Sequence, residues 1–379
     1  MRWRSIRVLI HISHRFSPAQ PYRDARVSTH NTDARAFFRQ TRKRYDMVIF
    51  GFLDSQGLFT QMSNIRLDGY VYTTESLREA FALLKDGGLL SLSFFTAGKS
   101  WLTDRLIRMM RSATSQEPLI YAKPTGHVIL LAGKNYQPQG PPRHGEYRRL
   151  GWVSKGTPEA MDDWPYLYVR RHFIPLDYLV IIAVLLITSF ASVLLSSKRV
   201  ARGMDWHFFF LGAGFLLLET KSIATISLYF GTTWLVSMIV ILGILVMALV
   251  ANLVAFRISK FHPAVYLPLA GSILLLYFFP DRWVLEWPQI FRSVYSVLVI
   301  PLPLFFAGLV FSLTFRDTPD PSLSFGSNLL GAMVGGFAEY LGMITGMKTL
   351  LLLVLLFYCC SGLSVLRSRT SPGAAVAPR

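Results

Sequence analysis

An α/β sheet unit followed by an all-α membrane bundle of about seven helices is the fold class this sequence predicts, on three observations. Only 16% of the 379 residues are charged while 52% are hydrophobic, whereas a soluble domain is roughly 25% charged. Charge and turn residues concentrate in residues 1–172. From Ile174 to Leu366 the chain becomes a series of apolar runs, most of them near the ~20 residues a helix needs to cross ~30 Å of hydrocarbon. Lys and Arg number 39 against 22 Asp and Glu, a formal charge of +17. On so apolar a chain that excess points to a membrane surface rather than to nucleic acid. Cys359 and Cys360 are neighbours inside an apolar run, which excludes a disulfide framework.

The elements follow in order. Residues 1–20 form an atypical basic leader in which His11 and His14 interrupt an apolar stretch too short for a signal peptide. Residues 21–150 read as the α/β part. Tyr45–Phe50 is a short apolar run that suits a buried strand, and Thr74 caps a helix over Glu75–Leu84. Asp86-Gly87-Gly88 ends that helix, and Leu89–Phe95 is the next buried strand. Ser100–Met110 has helical spacing. Glu117–Ala122 and His127–Ala132 flank Pro124-Thr125-Gly126 as a closing hairpin. Residues 151–173 are a linker, 174–366 the membrane domain and 367–379 a disordered tail.

Seven runs are expected to cross the membrane: Ile174–Ser196, Trp206–Phe230, Trp234–Phe256, Pro263–Phe279, Val294–Phe315, Phe325–Thr345 and Met347–Leu366. Helices are required because an unpaired backbone group in hydrocarbon costs several kcal/mol. Tyr178, Trp234, Trp283 and Trp287 lie near run ends, at headgroup depth. Lys198, Arg199, Arg202, Arg257, Lys260, Arg316, Arg367, Arg369 and Arg379 fall on the tail's side, and Arg170, Arg171, Arg282, Arg292 and Lys348 on the other. That distribution favours a cytoplasmic tail, and both orientations of the α/β part stay open.

Within the membrane part Glu219 and Lys221 stand out, because a charge at the centre of a span costs about 2.5–3.5 kcal/mol on insertion scales. Two positions apart, they point to different sides of one helix. Ser327, Gly331, Gly335 and Glu339 recur every four residues, a ridge of small side chains that ends in a carboxylate and offers Lys221 a partner. Asn328 and Asn252 add interhelical hydrogen-bonding capacity. Two readings of this polar set stay open: a site for a proton or cationic amine, and an ion pair that fixes helix register. Gly98-Lys99-Ser100 lacks the spacing of a phosphate loop, since Ser93 stands five before Gly98. His11, His14, His30, His127 and His144 have no metal-ligand spacing.

Several short motifs carry a resemblance. Pro21-Tyr22, Asp24, Arg26-Val27, Asp33-Ala34-Arg35-Ala36-Phe37, Tyr45-Asp46, Leu53-Asp54-Ser55 and Leu84-Lys85-Asp86-Gly87-Gly88-Leu89-Leu90 resemble the second half of a spermidine synthase-like aminopropyltransferase domain. Ser63-Asn64-Ile65-Arg66-Leu67-Asp68, Tyr70-Val71-Tyr72-Thr73, Glu75-Ser76, His207–Leu218 with Glu219 and Lys221-Ser222, Gly231-Thr232-Thr233-Trp234 and Gly326-Ser327-Asn328-Leu329-Leu330-Gly331 resemble the bacterial branch that fuses this domain to membrane helices. The likeness implies a partial Rossmann-like domain of the methyltransferase superfamily, a bacterial inner-membrane location, and S-adenosylmethionine or its decarboxylated form as cofactor in intact relatives. It also implies that Asp33 accepts a hydrogen bond from the adenine amino group and that Asp54 lines the amine site.

Two departures limit what is carried over. Gly51 stands at the family's catalytic Asp, and glycine accepts no proton. Residues 1–20 contain no glycine, so the turn that brings backbone to the donor is missing ahead of Asp33. The expectation is a fragment or a degenerate domain that binds no adenosyl cofactor and transfers no aminopropyl group. The alternative is a transporter or binding protein for polyamines or another cation. The partners expected are the lipid bilayer and a polyamine, not nucleic acid.

Overall fold

The computed structural model describes residues 15, 18, 22, 24–30, 32–51, 68–196, 203–231 and 234–370. It divides into two compact units, Met1–Tyr168 with Ser227–Met238, and Val169–Ile226 with Ile239–Arg379.

The first unit holds a mixed sheet. Its elements are α1 (Ala34–Gln40), β1 (Tyr45–Gly51), a 3-10 turn (Asp68–Tyr72), α2 (Thr74–Ala82), β2 (Leu84–Phe95), α3 (Ser100–Thr114), β3 (Leu119–Ala122), β4 (His127–Gly133), β5 (Arg143–His144) and β6 (Tyr147–Arg149). The six strands run in the order β1-β2-β4-β3-β6-β5. β1 and β2 pair in parallel, and every other pairing is antiparallel. The expected hairpin is therefore β3–β4.

Period-two alternation sets the two faces of the sheet. Leu90, Leu92 and Phe94 of β2 and Leu130 and Ala132 of β4 are buried with Leu77 and Ala80 of α2 and Leu102, Leu106 and Met110 of α3. Thr73, not Thr74, is the N-cap of α2, and its hydroxyl accepts from the Ser76 backbone N–H.

β1 corrects an expectation. It is a strand, but not a buried one: Met47 is 46% exposed and Ile49 61%. The reason is the pleat: Met47 and Ile49 point away from the face that α2 and α3 cover, whereas Val48 and Phe50 point toward it. Of its side chains Phe50 reaches full burial, and Val48 packs against the same core.

The second unit is helical. It comprises α4 (Leu176–Ser196), α5 (Trp206–Phe230) through Ile226, α6 (Trp234–Arg257) from Ile239, α7 (Tyr266–Phe278), α8 (Asp281–Glu286), α9 (Gln289–Leu298), α10 (Leu302–Arg316), α11 (Pro321–Ala338), α12 (Gly342–Thr345) and α13 (Leu350–Thr370). Among the described residues five stretches are long and apolar enough to cross a membrane: Leu176–Leu195, Trp206–Phe230, Val240–Arg257, Gln289–Arg316 and Leu350–Arg367.

Two of the seven expected runs do not reach that standard. Pro263–Phe278 is apolar but short. The Phe325–Thr345 run tightens from α11 into a 3-10 turn at Glu339–Leu341 and continues into α12, which ends at Gly346 with φ +88°. A third run, Val294–Phe315, is interrupted between α9 and α10, where Pro301 supplies no N–H to continue the ladder.

Candidate functional site

Asp33 is the N-cap of α1. One carboxylate oxygen accepts from the backbone N–H groups of Arg35 and Ala36, both at 3.0 Å, and the residue is buried. Gly231, which closes α5 with φ +88°, lies so near that a Cβ there would overlap the Asp33 side chain. Two motifs far apart in the sequence thus meet, and positive φ plus close approach explain the glycine. Gly51 ends β1 beside Ser93 of β2, with open space where a side chain would project. Asp54 lies outside the described residues.

Around α1 the unit buries an ion network. Arg35 donates to Asp162 at 2.5 and 2.7 Å and to Glu79 at 2.9 Å. Burial works against its charge, but these two carboxylates outweigh that and hold its pKa above the ordinary arginine value. Arg39 shares Glu79 at 2.9 Å and donates to the Leu228 carbonyl at 2.7 Å, supplying a donor to the last turn of α5.

Arg105 works differently. Fully buried, it donates to the carbonyls of Pro158, Tyr166 and Leu167 at 2.6–3.0 Å, between the rings of Trp101 and Trp164. Burial pulls its pKa down to about 10. Beside it Asp104 accepts from Trp152 Nε1 and from the backbone N–H groups of Lys155 and Thr157. Burial opposes its charge, yet these donors hold its pKa down to about 2. Together the pair fastens residues 152–167 to α3.

On the sheet face away from the helices, Ser93 Oγ lies 3.3 Å from His127 Nε2, and Tyr147 Oη lies 2.8 Å from His127 Nδ1. Burial and the neighbouring Lys123 lower the His127 pKa. The pairing β2–β4–β3–β6 brings the three side chains into one row, which no local spacing in the sequence reveals.

In the helical unit, the predicted polar residues occupy separate places. Lys221 is buried, and its ammonium donates to Thr225 Oγ1 at 2.6 Å, one turn along the same helix. Glu219 is half-buried. Glu339 is buried at the start of the 3-10 turn after α11. Asn328 donates to the Phe208 carbonyl at 3.1 Å. The small-residue ridge has the role its spacing implies: a Cβ on Gly331 would overlap the Phe209 carbonyl, and one on Gly335 the Ala213 carbonyl. α5 and α11 therefore meet backbone to backbone.

The buried polar cluster that the sequence reading missed centres on His207. Nδ1 lies 2.8 Å from Ser361 Oγ of α13, and Nε2 lies 3.0 Å from Thr314 Oγ1 of α10. Tyr266 Oη of α7 joins at 2.8 Å from Ser361 Oγ. Four helices converge on one imidazole, each contributing one residue, so no short motif announces the group. The signal that was available is His207 itself, a titratable residue at the start of an apolar run.

His207 and Thr314 also line a cavity of about 800 Å³ at the end of the bundle where α5 begins and α10 and α13 end. Its other walls include Asp205, Trp206, Asp317 and Arg367. Asp205 accepts from Ser324 Oγ at 3.1 Å, and its backbone N–H donates to Ser327 Oγ at 2.9 Å. Among the described residues no group of three or more His, Cys, Asp or Glu is placed to hold a metal ion.

Compared with known proteins, the chain matches no family model, no curated protein and no solved structure.

Proposed function

We propose that this chain is a multi-pass protein of the bacterial inner membrane whose spermidine synthase-like sheet unit is a scaffold, without aminopropyl transfer. One observation carries the reading. The Asp33 carboxylate, the residue expected to meet adenine, caps α1 through one oxygen and lies against Gly231. Gly51, at the position of the proton acceptor, supplies no base.

Calorimetric titration of the purified full chain with S-adenosylmethionine and its decarboxylated form tests it. No binding heat is expected up to millimolar ligand, and micromolar affinity for either would overturn the reading. Asp33→Ala separates the two roles of that residue. As a cap it stabilises the fold by about 1 kcal/mol, so the substitution lowers the midpoint of thermal unfolding by a few degrees, whereas an unchanged midpoint contradicts the cap role.

A second reading, a transporter or binding protein for polyamines or another cation, is favoured by Glu339, a carboxylate buried within an apolar helical stretch, since ionisable residues inside membrane segments accompany ion and substrate pathways. Under it, Glu219→Gln reduces spermidine flux into proteoliposomes at equal amounts of folded protein. Unchanged flux removes it.

A further inference from the structure

We infer that the outward face of α6 docks against the same face of a second copy of this chain, the two helices running parallel and pairing through Asn252. The inference rests on reading the helical unit as membrane-embedded.

α6 has two sides. Val240, Ile244, Ala251 and Ala255 are buried, and a Cβ on Gly308 of α10 would stand 3.2 Å from that of Ala251. Leu242, Leu245, Leu249, Asn252 and Phe256 lie on the other side, the four apolar ones 58–91% exposed and Asn252 exposed with them. They are spaced three, four, three and four residues apart, which is the 3.5-residue period of a left-handed two-helix seam. Lipid tails cover leucines as well as another helix does, so the apolar residues alone name no occupant.

Asn252 decides it. Its Oδ1 accepts from Ser312 Oγ of α10, and among the described residues its Nδ2 amide has no acceptor. Arg257 closes α6 five residues later, which puts the amide ~7.5 Å inside the helix end, where a donor left facing hydrocarbon is costly. A carboxamide carries two N–H donors and an oxygen with two lone pairs, so it is complementary to a copy of itself. Across a two-fold axis each Nδ2 donates to the opposite Oδ1, whose second lone pair still serves Ser312.

The bilayer selects a second copy as the occupant. All copies of one chain enter with one topology, so their α6 helices are parallel and their Asn252 side chains lie at equal depth. A two-fold contact then brings like against like. A single Asn in an otherwise apolar seam also fixes register and strand number, which is the place Asn252 holds among the leucines.

The test uses the full chain in proteoliposomes, with Cys359→Ala and Cys360→Ala so that single cysteines report alone. Under copper phenanthroline, Leu245→Cys and Leu249→Cys should each give at least fivefold more disulfide-linked dimer than Val250→Cys, which is exposed but turned about 100° from Leu249. Equal yield at all three positions, or no dimer at the first two, overturns the proposal. Energy transfer between dye-labelled chains, followed on dilution with lipid, gives the association constant. Asn252→Ala should lower it at least about fivefold, the scale of interhelical hydrogen bonds in membranes. If that variant does not fold, Leu249→Ala, at an exposed position, should lower it at least threefold. Unchanged association in the folded variants overturns the proposal. Alkaline carbonate extraction separates the two readings: a chain released from the membrane sinks the membrane reading, whereas a chain that stays embedded as a monomer sinks this one.

Discussion

The sheet unit and the helical unit satisfy their buried polar groups differently. In the first, full charges go inside and are matched: Arg35 with Asp162 and Glu79, Arg39 with Glu79, and Arg105 with three backbone carbonyls. In the second, the cluster around His207 is made of hydroxyls and an imidazole, the buried Lys221 ammonium meets a threonine hydroxyl, and where α5 meets α11 Gly331 and Gly335 lie against carbonyls while Asn328 donates to the Phe208 carbonyl. The difference teaches what each surrounding medium permits. A chain folding in water has fully solvated charges to bring together, and a well-matched network offsets their desolvation. Helices meeting in lipid gain nothing from excluding water, so close packing and neutral hydrogen bonds hold them.

The largest expected effect tests the glycine contact. Gly331→Leu places a side chain where the Phe209 carbonyl oxygen stands, and the bundle is expected to lose at least about 4 kcal/mol, at the upper end of single-residue effects. The readout is the yield of monodisperse protein in detergent. A normal yield with an unshifted unfolding midpoint would break the contrast, because it would mean that α5 and α11 do not depend on backbone contact.

Arg105→Met comes next. Removing the guanidinium leaves the carbonyls of Pro158, Tyr166 and Leu167 without their donor, at about 1–3 kcal/mol for a buried unsatisfied group, and roughly 3 kcal/mol in total is expected as partial relief by water sets in. Limited proteolysis should then cut within residues 152–167. Arg105→Lys should recover less than half of the loss, since one ammonium cannot span three carbonyls; full recovery would show that charge, not the fork, is what matters.

The smallest effect sharpens the comparison through pH. The Asp104 pKa is held at about 2 in the folded chain against an ordinary value of 3.8, so its contribution is present above the unfolded value and disappears as pH falls through the folded one. At 1.36 kcal/mol per unit, roughly 2 kcal/mol of stability should vanish between pH 5 and pH 2. Asp104→Asn should flatten that part of the stability curve by the same amount. A variant with the slope of the parent would assign the acid sensitivity to other carboxylates.

Much of the fold is legible in local patterns. The strand at Tyr45, the hairpin around Pro124-Thr125-Gly126, the helix from Ser100 and the five membrane-length stretches all follow from periodicity, turn residues and length, which are properties of neighbouring residues. Spacing alone also pointed to the small-residue ridge of α11. The exposure of one side of β1 was not legible, because an apolar run of six has the same composition whether helices cover one face of its sheet or both.

The site was less legible than the fold. Asp33 drew notice through the family resemblance, but whether a carboxylate caps a helix or meets a ligand depends on which backbone amides reach it. His207, Thr314, Ser361 and Tyr266 lie on four helices and meet only after those helices pack.

The sequence by itself determined that the chain has a charged sheet-forming half and an apolar helical half, since hydropathy and period are read one segment at a time. Tertiary structure alone decided that Asp33 lies against Gly231, that Lys221 turns to Thr225, and that two carboxylates, an indole and an imidazole share one cavity. Those meetings depend on how distant segments pack, and side-chain distances of about 3 Å arise from that packing rather than from spacing along the chain.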